Sequence, residues 1–511
     1  MRKAVALTCA LCCVVAPLVA LVPADSYPVG FDVWRTLLLA ERWSDGGFPT
    51  VLPEAAFTGL DTQFADQQLG FTWLVMQLGR VFGQGESGVP WLVWTLVLIQ
   101  AACVYVAASW LRRQVSPSSR VSPWWLVLLP AVSHSWLFRA TELRAITLAV
   151  ALTVIVAALL AGGVRGWWRF LAVTLASWAF SLSHIATPLL LAVGFLNWMV
   201  CRSLGSAGLR GANFGLLAIV LGGALGLMLR PDFPACMDVS WSIAFRTPWA
   251  SLMGDIEVVP AELLPLAWWE VIRYEWPVWV LGVAIAMSVM RSCRVGPFLN
   301  VAVLAAGTLF ATLIGVRFYE VAAPLGVMAA MVVFGSRPKV WLVAGALAYT
   351  WSVNVPDVHW GVRANAITEA GMVANVLCEK GRAGDRVLVT DWGFVSPLAY
   401  QLRSKDMSFT GMIDPGYMFC SDSARWTCWQ DIRCGRLPNP LEAAREEFRC
   451  RFFVFNVADA GPGQAPGTSA NAVRREIQRW LGEGRAVEAF ACYPDDPNSM
   501  RNWIVLDLEP R

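Results

Sequence analysis

About eleven long apolar segments, joined by mostly short loops, dominate this sequence of 511 residues. A helix needs about 20 mostly apolar residues to cross the hydrocarbon core of a bilayer. Only 15% of the residues are charged, whereas a soluble globular chain has about 25%. Disorder, nucleic-acid binding and an ordinary cytosolic enzyme are therefore disfavoured. We predict a polytopic α-helical membrane protein.

The predicted spans share high hydropathy and near-complete absence of charge. They lie near residues 4–22, 90–111, 122–138, 145–163, 168–183, 186–201, 211–230, 276–291, 298–316, 319–335 and 338–355. The first could instead be a cleaved signal peptide, because Arg2 and Lys3 precede its apolar run. We favour an uncleaved helix.

Alternate loops carry basic residues and no acidic ones, which predicts the orientation of the chain. These loops contain Arg112, Arg113 and Arg120; Arg165 and Arg169; Arg202 and Arg210; Arg291 and Arg294; and Arg337 and Lys339. Cytoplasmic loops are enriched in Lys and Arg, so we expect a cytoplasmic N-terminus. An odd number of spans then places the C-terminal region outside. Frequent Ala and Gly, with far more Arg than Lys, favour a bacterium with a GC-rich genome, and we predict the inner (cytoplasmic) membrane as the location of the protein.

Three predicted outer segments, residues 23–89, 231–275 and 356–511, are too long to be simple connections. In the first, residues 33–43 and 64–82 have apolar residues at helical spacing, which predicts a helix lying at the membrane surface over 33–43 and a second such helix, or a shallow re-entrant one, over 64–82. The last segment alternates strand-like and helix-like stretches. We expect a transmembrane domain over 1–355 and a small extracytoplasmic α/β domain with a largely parallel sheet over 356–511.

The elements of this C-terminal domain follow from the hydrophobic pattern. We predict strands at 386–391, 408–413, 451–456, 486–492 and 502–508, and helices at 362–380, 394–402, 441–448 and 470–481.

Six cysteines fall in the predicted C-terminal domain, namely Cys378, Cys420, Cys428, Cys434, Cys450 and Cys492. In an oxidising compartment they could form up to three disulfides. Cys428 and Cys434 are plausible partners, and disulfides are favoured over free thiols or a zinc site.

Ionisable residues gather at the predicted outer ends of the spans, where burial in the membrane is costly and function is the default hypothesis. Six of them, Arg139, Glu142, Arg144, His184, Arg317 and Glu320, lie in outer turns, and Asp32 and Asp66 lie in the first long loop. Charges at helix ends also snorkel or cap, and His184 alone is more readily structural. Their joint location on one face favours a site.

Arginines at the ends of membrane helices suit a phosphate group, because guanidinium offers paired donors to anionic oxygens. A lipid-linked phosphate would lie at that depth. Asp32, or second Asp66, could remove a proton from an acceptor hydroxyl as general base. Arg139, Arg144 and Arg317 would then hold the leaving phosphate. The apolar span centres argue against a transporter or flippase, which places charged groups near mid-span.

The chain resembles the GT-C superfamily of membrane glycosyltransferases that use polyprenyl-phosphate sugars, and it is similar to a bacterial membrane protein group of that type. The resemblance rests on the early Asp32, the turn from Arg139 to Arg144, the late turn with Arg317, Phe318, Glu320 and Pro324, and the C-terminal runs Val389–Trp392 and Phe452–Phe455.

The resemblance implies transfer of a sugar from a polyprenyl-phosphate-linked donor to an extracytoplasmic acceptor, which would be a lipid, a glycan or a protein. Such an enzyme would be a glycosyltransferase of the hexosyltransferase type that acts in the cell envelope. Membrane lipids would surround it, and no nucleic-acid partner is expected. No cofactor is assigned with certainty, and a divalent metal is left open. The alternative is a non-catalytic protein of this architecture that binds lipid-linked glycans or assists envelope assembly.

Overall fold

The structure is a computed structural model of the whole chain. It describes residues 2–24, 29–30, 32–83, 85–164, 166–184, 186–203, 206–246, 249–250, 266–291, 296–335, 338–365, 369–410, 415–456, 468–492 and 503–509.

The chain forms two units, and each is composed of three separate segments of the sequence. The first comprises Met1–Pro28, Gln67–Phe233 and Val259–Asn365. The second comprises Val29–Asp66, Pro234–Val258 and Ala366–Arg511. Residues of the first long loop and of the middle loop thus cluster with the C-terminal region. The predicted boundary at residue 355, between a transmembrane domain and a C-terminal domain, stays a prediction.

The first unit is helical, and every predicted apolar span contains helix. Its helices are α1 (Arg2–Leu21), α3 (Leu69–Phe82), α4 (Val89–Val115), α5 (Leu129–Val132), α6 (His134–Ala140), α7 (Ala145–Ala161), α8 (Trp167–Ser183), α9 (Thr187–Ser203), α10 (Ser206–Met228), α12 (Trp268–Glu270), α13 (Trp276–Arg291), α14 (Pro297–Ala311), α15 (Tyr319–Phe334), α16 (Val340–Tyr349) and α17 (Val355–Asn365). Short 3₁₀ helices at Pro123–Leu128 and Val316–Phe318 precede α5 and α15.

Within the described residues, four helical stretches are long and apolar enough to cross a membrane, namely Lys3–Leu21, Glu86–Val115, Leu209–Met228 and Val316–Phe334. Several shorter apolar helices accompany them. The predicted number of eleven spans stays a prediction.

Helix α10 shows how the sequence divides an apolar helix into a packed face and an exposed face. Gly222 and Gly226 lie so close to α8 that a Cβ atom would come within 2.3 Å of the Thr174 carbonyl oxygen and 2.6 Å of the Ser181 Cβ, respectively. On other sides of α10, Phe214, Leu217, Leu221 and Leu225 are all more than 40% exposed. Small residues at the contact and exposed apolar residues elsewhere are typical of membrane helices.

The predicted helix over 122–138 is wrong as a continuous element, because the chain breaks at Ser133. Ser133 is extended (φ −148°, ψ 120°), and its side chain accepts a hydrogen bond from the Trp136 amide. The Pro130 carbonyl accepts a hydrogen bond from the buried Asn354 amide at 2.8 Å. The fully buried Glu275 accepts one from the Ser135 amide at 2.7 Å. These side chains satisfy backbone groups that the break would otherwise leave unpaired.

Two arginines of the predicted cytoplasmic loops bind the carbonyl ends of helices. Arg112 donates to the Val332 carbonyl oxygen at 2.6 Å, near the end of α15. Arg169 donates to the carbonyl oxygens of Gly162 and Gly163, just after α7. A cation at a helix C-terminus pairs with the negative end of the helix dipole. These loop charges therefore also fasten helices together.

The second unit contains the helices α2 (Asp32–Gly46), α11 (Ala235–Trp241), α18 (Glu369–Lys380), α19 (Trp392–Gln401), α20 (Pro415–Ser421), α21 (Ser423–Arg433), α22 (Pro440–Glu446) and α23 (Thr468–Gly482). The helix predicted at 33–43 corresponds to α2. The predicted helix at 64–82 is shorter, since α3 begins at Leu69 and belongs to the first unit. Helices α20 and α21 were not expected.

A six-stranded sheet organises the second unit in the order β1-β3-β2-β4-β6-β5. Its strands are β1 (Ala55–Ala56), β2 (Arg386–Val389), β3 (Ser408–Thr410), β4 (Phe452–Asn456), β5 (Val487–Cys492) and β6 (Trp503–Asp507). The pairs among β1, β3, β2 and β4 are parallel, and the pairs involving β6 are antiparallel. The end of the predicted strand 408–413 lies outside the described residues.

Buried aromatic residues pack against this sheet. Trp429 is 1% exposed and donates its indole N–H to the Val389 carbonyl oxygen at 3.2 Å. On β6, Trp503 stacks on Phe394 with 3.7 Å between the ring centroids. Every residue of β4 is buried, as expected of a central strand covered on both faces.

The expected disulfides are not formed among the cysteines whose side chains the structure describes, since these are free thiols. Cys428 lies inside α21 and Cys434 caps its C-terminal end. Six residues of helix separate two Cα atoms by about 9 Å, which exceeds the roughly 7 Å that a disulfide can bridge. The pairing of Cys428 with Cys434 is therefore wrong. The side chain of Cys492 lies outside the described part of the chain.

Candidate functional site

Two arginines and two glutamates come together in the first unit. Arg139 lies in the last turn of α6, and Arg144 directly precedes α7. Glu142 lies in the turn between these two helices, and Glu320 lies in the first turn of α15. The break at Ser133 sets the start of α6, so it also sets where Arg139 lies. We call Arg139, Glu142, Arg144 and Glu320 the Arg–Glu cluster.

Both arginines of the cluster contact the same oxygen of Glu142. Arg139 Nη1 lies 3.0 Å and Arg144 Nη1 lies 3.2 Å from Glu142 Oε2. Glu320 Oε1 is more distant, at 3.9 Å from Arg139 Nε and 3.7 Å from Arg144 Nη1. Glu142 Oε2 therefore lies at hydrogen-bonding distance from both guanidinium groups, whereas Glu320 Oε1 makes longer ion pairs.

The cluster is largely shielded from solvent. The side chains of Arg144 and Glu320 are each 5% exposed, whereas that of Arg139 is 20% exposed. Two guanidinium groups and two carboxylates give the cluster a formal charge of zero. Four largely buried charges this close together need to pair with one another, because an isolated ion is costly to remove from water.

A small cavity with room for about one water molecule adjoins the cluster. Arg139 and Glu320 line it, together with Gln100, Trp136, Ala140, Thr147 and Val150. Gln100 is 2% exposed; its carbonyl accepts from the Trp136 indole at 3.1 Å, and its amide donates to the Thr147 carbonyl oxygen at 3.3 Å. Gln100 thereby connects the helices on either side of the Arg139–Arg144 turn.

Gln100 and Trp136 were not among the residues predicted from the sequence. A lone glutamine inside the predicted span 90–111 is the signal that could have found it, because a buried amide in an apolar helix must find partners. Trp136 carried no comparable signal.

Two other predicted residues of the first unit lie on separate elements. Arg317 is partly exposed in the 3₁₀ turn Val316–Phe318, three residues before Glu320. His184 directly follows α8, and its Nδ1 atom accepts a hydrogen bond from the Ala186 amide at 2.9 Å. That bond matches the structural alternative for His184 and leaves its substrate-binding role a prediction.

The two predicted bases belong to the second unit. Asp32 is the first residue of α2 and is partly exposed. Asp66 is 3% exposed and lies near the end of the loop that precedes α3. A partly exposed carboxylate is better placed than a buried one to meet an acceptor arriving from water, so Asp32 remains the first candidate.

A divalent metal requires several oxygen or nitrogen ligands around one point. Within the described part of the chain, no group of three His, Cys, Asp or Glu side chains could hold a metal ion. In the Arg–Glu cluster the carboxylates already pair with arginines. No resident metal site is evident among the described residues, and the question of a divalent metal stays open.

Comparison with solved structures identifies the fold. The chain is similar to the archaeal oligosaccharyltransferase AglB from Archaeoglobus fulgidus in complex with an inhibitory peptide and a dolichol-phosphate, with a TM-score of 0.65 and 13% identity over 89% of this chain and 69% of that one. It is also similar to ArnT from Cupriavidus metallidurans bound to undecaprenyl phosphate, with a TM-score of 0.55 and 14% identity over 98% and 97% of the two chains.

A third similar structure is the arabinofuranosyltransferase AftD from Mycobacteria, with a TM-score of 0.50 and 15% identity over 99% of this chain and 40% of that one. A further structure of the Archaeoglobus fulgidus oligosaccharyltransferase, at 12% identity, a TM-score of 0.57 and 88% and 68% coverage, is a complex with Zn and sulfate. Neither a family model nor a curated protein matches the sequence. These solved proteins are GT-C glycosyltransferases, and the present chain has a GT-C-like fold.

Proposed function

We propose that this protein is a membrane glycosyltransferase that moves a sugar from a polyprenyl-phosphate-linked donor to an extracytoplasmic acceptor. The observation that supports this most is the pair Arg139 and Arg144, which lies at the ends of apolar helices in a GT-C-like fold. Related folds bind dolichol-phosphate and undecaprenyl phosphate. In this proposal the phosphate would contact the two guanidinium groups, with its lipid tail beside the helices.

In this proposal the arginines act on the leaving group. As the bond between the anomeric carbon and the phosphate oxygen breaks, its electron pair passes to the phosphate. Positive donors held in a buried site stabilise that developing charge without having to reorganise. Arg139, Arg144 and Arg317 would supply these donors, and Glu320 would hold the two clustered arginines in place. His184 is retained as a substrate-binding candidate.

Asp32 would act on the acceptor. Its carboxylate would accept the proton of an acceptor hydroxyl or amide as the new bond to the anomeric carbon forms. It begins α2, and it is partly exposed. Asp66 is the second candidate for the same role.

The test is a transfer assay with purified full-length protein in lipid nanodiscs and radiolabelled polyprenyl-phosphate sugars. We expect Arg139→Ala to reduce transfer on the order of 100-fold, with partial recovery in Arg139→Lys, which keeps the charge but not the paired donors. We expect the double variant Asp32→Asn/Asp66→Asn to be inactive. Asp45→Asn is the matched control, since Asp45 is an exposed residue of α2.

Wild-type rates in the double Asp variant would refute the assignment of the base. Saturable binding of the lipid phosphate without turnover on any donor would instead favour the non-catalytic alternative. Flipping of the lipid in proteoliposomes would favour the third hypothesis, a flippase.

A further inference from the structure

The Arg–Glu cluster is electrically neutral before any substrate arrives, and this affects how it could bind an anion. Both arginines that would hold a phosphate already donate to Glu142 Oε2, at 3.0 and 3.2 Å. A phosphate that approaches the same guanidinium groups would find its binding position occupied by the Glu142 carboxylate. Two anions cannot share these donors at hydrogen-bond distance without strong mutual repulsion in a buried site.

The two glutamates differ in their local backbone structure, and this difference decides which of them can move away from the arginines. Glu320 lies in the first turn of α15, a helix that is almost entirely buried, and its Oε1 atom lies 3.7 Å from Arg144 Nη1 and 3.9 Å from Arg139 Nε. Glu142 lies in the turn of residues 141–144, outside regular structure, and makes the close contacts. A residue in a turn can swing away at a lower cost than one inside a packed helix.

Resting on the proposed function, we propose that Glu142 is an exchangeable counterion that competes with the phosphate of the lipid carrier for Arg139 and Arg144. When the site is empty, the Glu142 carboxylate occupies the donors. A lipid phosphate displaces it and takes over the paired guanidinium contacts. After transfer the carboxylate returns, and the lipid phosphate product is released. Glu142 thus sets how long the carrier stays bound, whereas Glu320 keeps the arginines in position.

The experiment measures binding of a polyprenyl phosphate to the full-length protein in nanodiscs of phosphatidylcholine, a lipid without net charge. We expect Glu142→Gln to bind about tenfold more tightly than wild type, because a charge-assisted competitor is removed, mostly through slower dissociation. Glu320→Gln should change the affinity less. Glu270→Gln is the matched control, since Glu270 accepts a hydrogen bond from the Ala267 amide on another element.

Unchanged or weaker binding in a folded Glu142→Gln protein would overturn the proposal, because Glu142 would then only position the arginines. Thermal unfolding of each variant reports folding. If Glu142→Gln does not fold, Glu142→Asp replaces it: the shorter carboxylate keeps its charge but reaches the arginines less well, so tighter binding is still expected, and unchanged or weaker binding again overturns the proposal.

Two further results separate this inference from the proposed function. If wild type shows no saturable binding of polyprenyl phosphate, the proposed function fails. If wild type binds it and Glu142→Gln binds it equally, only the exchange fails. If Glu142→Gln gains as much affinity for inorganic phosphate as for polyprenyl phosphate, the exchange is supported, and its anion is a soluble phosphate.

Discussion

The indole N–H of Trp136 donates a hydrogen bond to the side-chain carbonyl of Gln100 across 3.1 Å, which joins α6 to α4 in the interior of the first unit. The same amide group donates to the Thr147 carbonyl oxygen on α7. Because Arg139 lies in the last turn of α6 and Arg144 directly precedes α7, one glutamine holds both sides of the Arg–Glu cluster.

We therefore expect Gln100→Leu to lower both stability and lipid-phosphate binding. The change leaves the buried Trp136 indole and Thr147 carbonyl without this partner, at about 0.5–2 kcal/mol of unfolding free energy. Gln100→Glu keeps an acceptor for the indole and loses the donor to Thr147, so we expect an intermediate effect. Thermal unfolding in detergent and lipid-phosphate titration check both. Wild-type binding by Gln100→Leu would contradict this role.

In the second unit, Arg451 joins three strands through two carboxylates. Its Nη1 lies 2.7 Å from Asp385 Oδ2, and its Nη2 lies 3.0 Å from Asp507 Oδ2. We expect Arg451→Ala to destabilise this unit by about 1–3 kcal/mol, since it leaves two largely buried carboxylates unpaired. Arg451→Lys should recover only part of the loss, because one ammonium cannot reproduce the fork of donors.

Protease susceptibility of the C-terminal region in the full chain, measured against denaturant, checks this prediction. Arg475→Ala is the control, because Arg475 is exposed on α23. Equal resistance of the Arg451→Ala and Arg475→Ala proteins would contradict the bridging role.

The stability of the second unit should depend on pH through Glu476. This side chain is 6% exposed, and burial raises its pKa to about 7, although Arg479 at 3.2 Å acts in the opposite direction. The folded state therefore holds this proton at a pH where the unfolded chain has lost it. The unfolding free energy should fall as the pH rises from about 4.5 to 7, on the order of 1–2 kcal/mol from this group.

We expect Glu476→Gln to remove this dependence and to be more stable than wild type at pH 8. Glu483→Gln, which changes a residue that is 47% exposed, should behave like wild type. Denaturation curves at pH 5 and pH 8 give the unfolding free energies of the three proteins. If Glu476→Gln retains the pH dependence of wild type, Glu476 is not its source.

Cysteine labelling tests the absence of disulfides. We expect the same number of alkylated thiols in the denatured protein with and without prior reduction. In the native protein, the exposed Cys378 should react quickly. The thiol of the buried Cys450 should react slowly, because burial restricts access and raises its pKa. A gain of two labels at Cys428 and Cys434 after reduction would contradict the structure.

Features that depend on local hydropathy were predictable from the sequence. Every predicted apolar span contains helix, although the span 122–138 is interrupted at Ser133, and α2 and the strands β2, β4 and β6 lie within a few residues of their predicted bounds. It also drew Arg139, Glu142, Arg144 and Glu320 into one hypothesis, because charges at the ends of apolar helices are conspicuous. Whether these residues carry the proposed chemistry stays a prediction.

Features that depend on distant partners were missed. The break at Ser133 is stabilised by Asn354 and Glu275, which no local pattern connects to it. The neutrality of the Arg–Glu cluster likewise needs Glu320, from a helix far along the chain, to lie near Arg144. The expected disulfide failed for a geometric reason, since cysteine spacing alone does not show that a helix separates the two residues.

The two-residue strand β1 pairs with β3 through Ala55↔Phe409 and Ala56↔Thr410. During synthesis, Ala55 is made long before Phe409. The pairing of β1 with β3 can therefore form only after the intervening membrane helices have been synthesised and inserted. Local pairings form fast and such distant ones form late. A C-terminal fragment cut at residue 356 would therefore expose the backbone edge of β3 and tend to aggregate, and fragments of this protein should be designed to include the first loop.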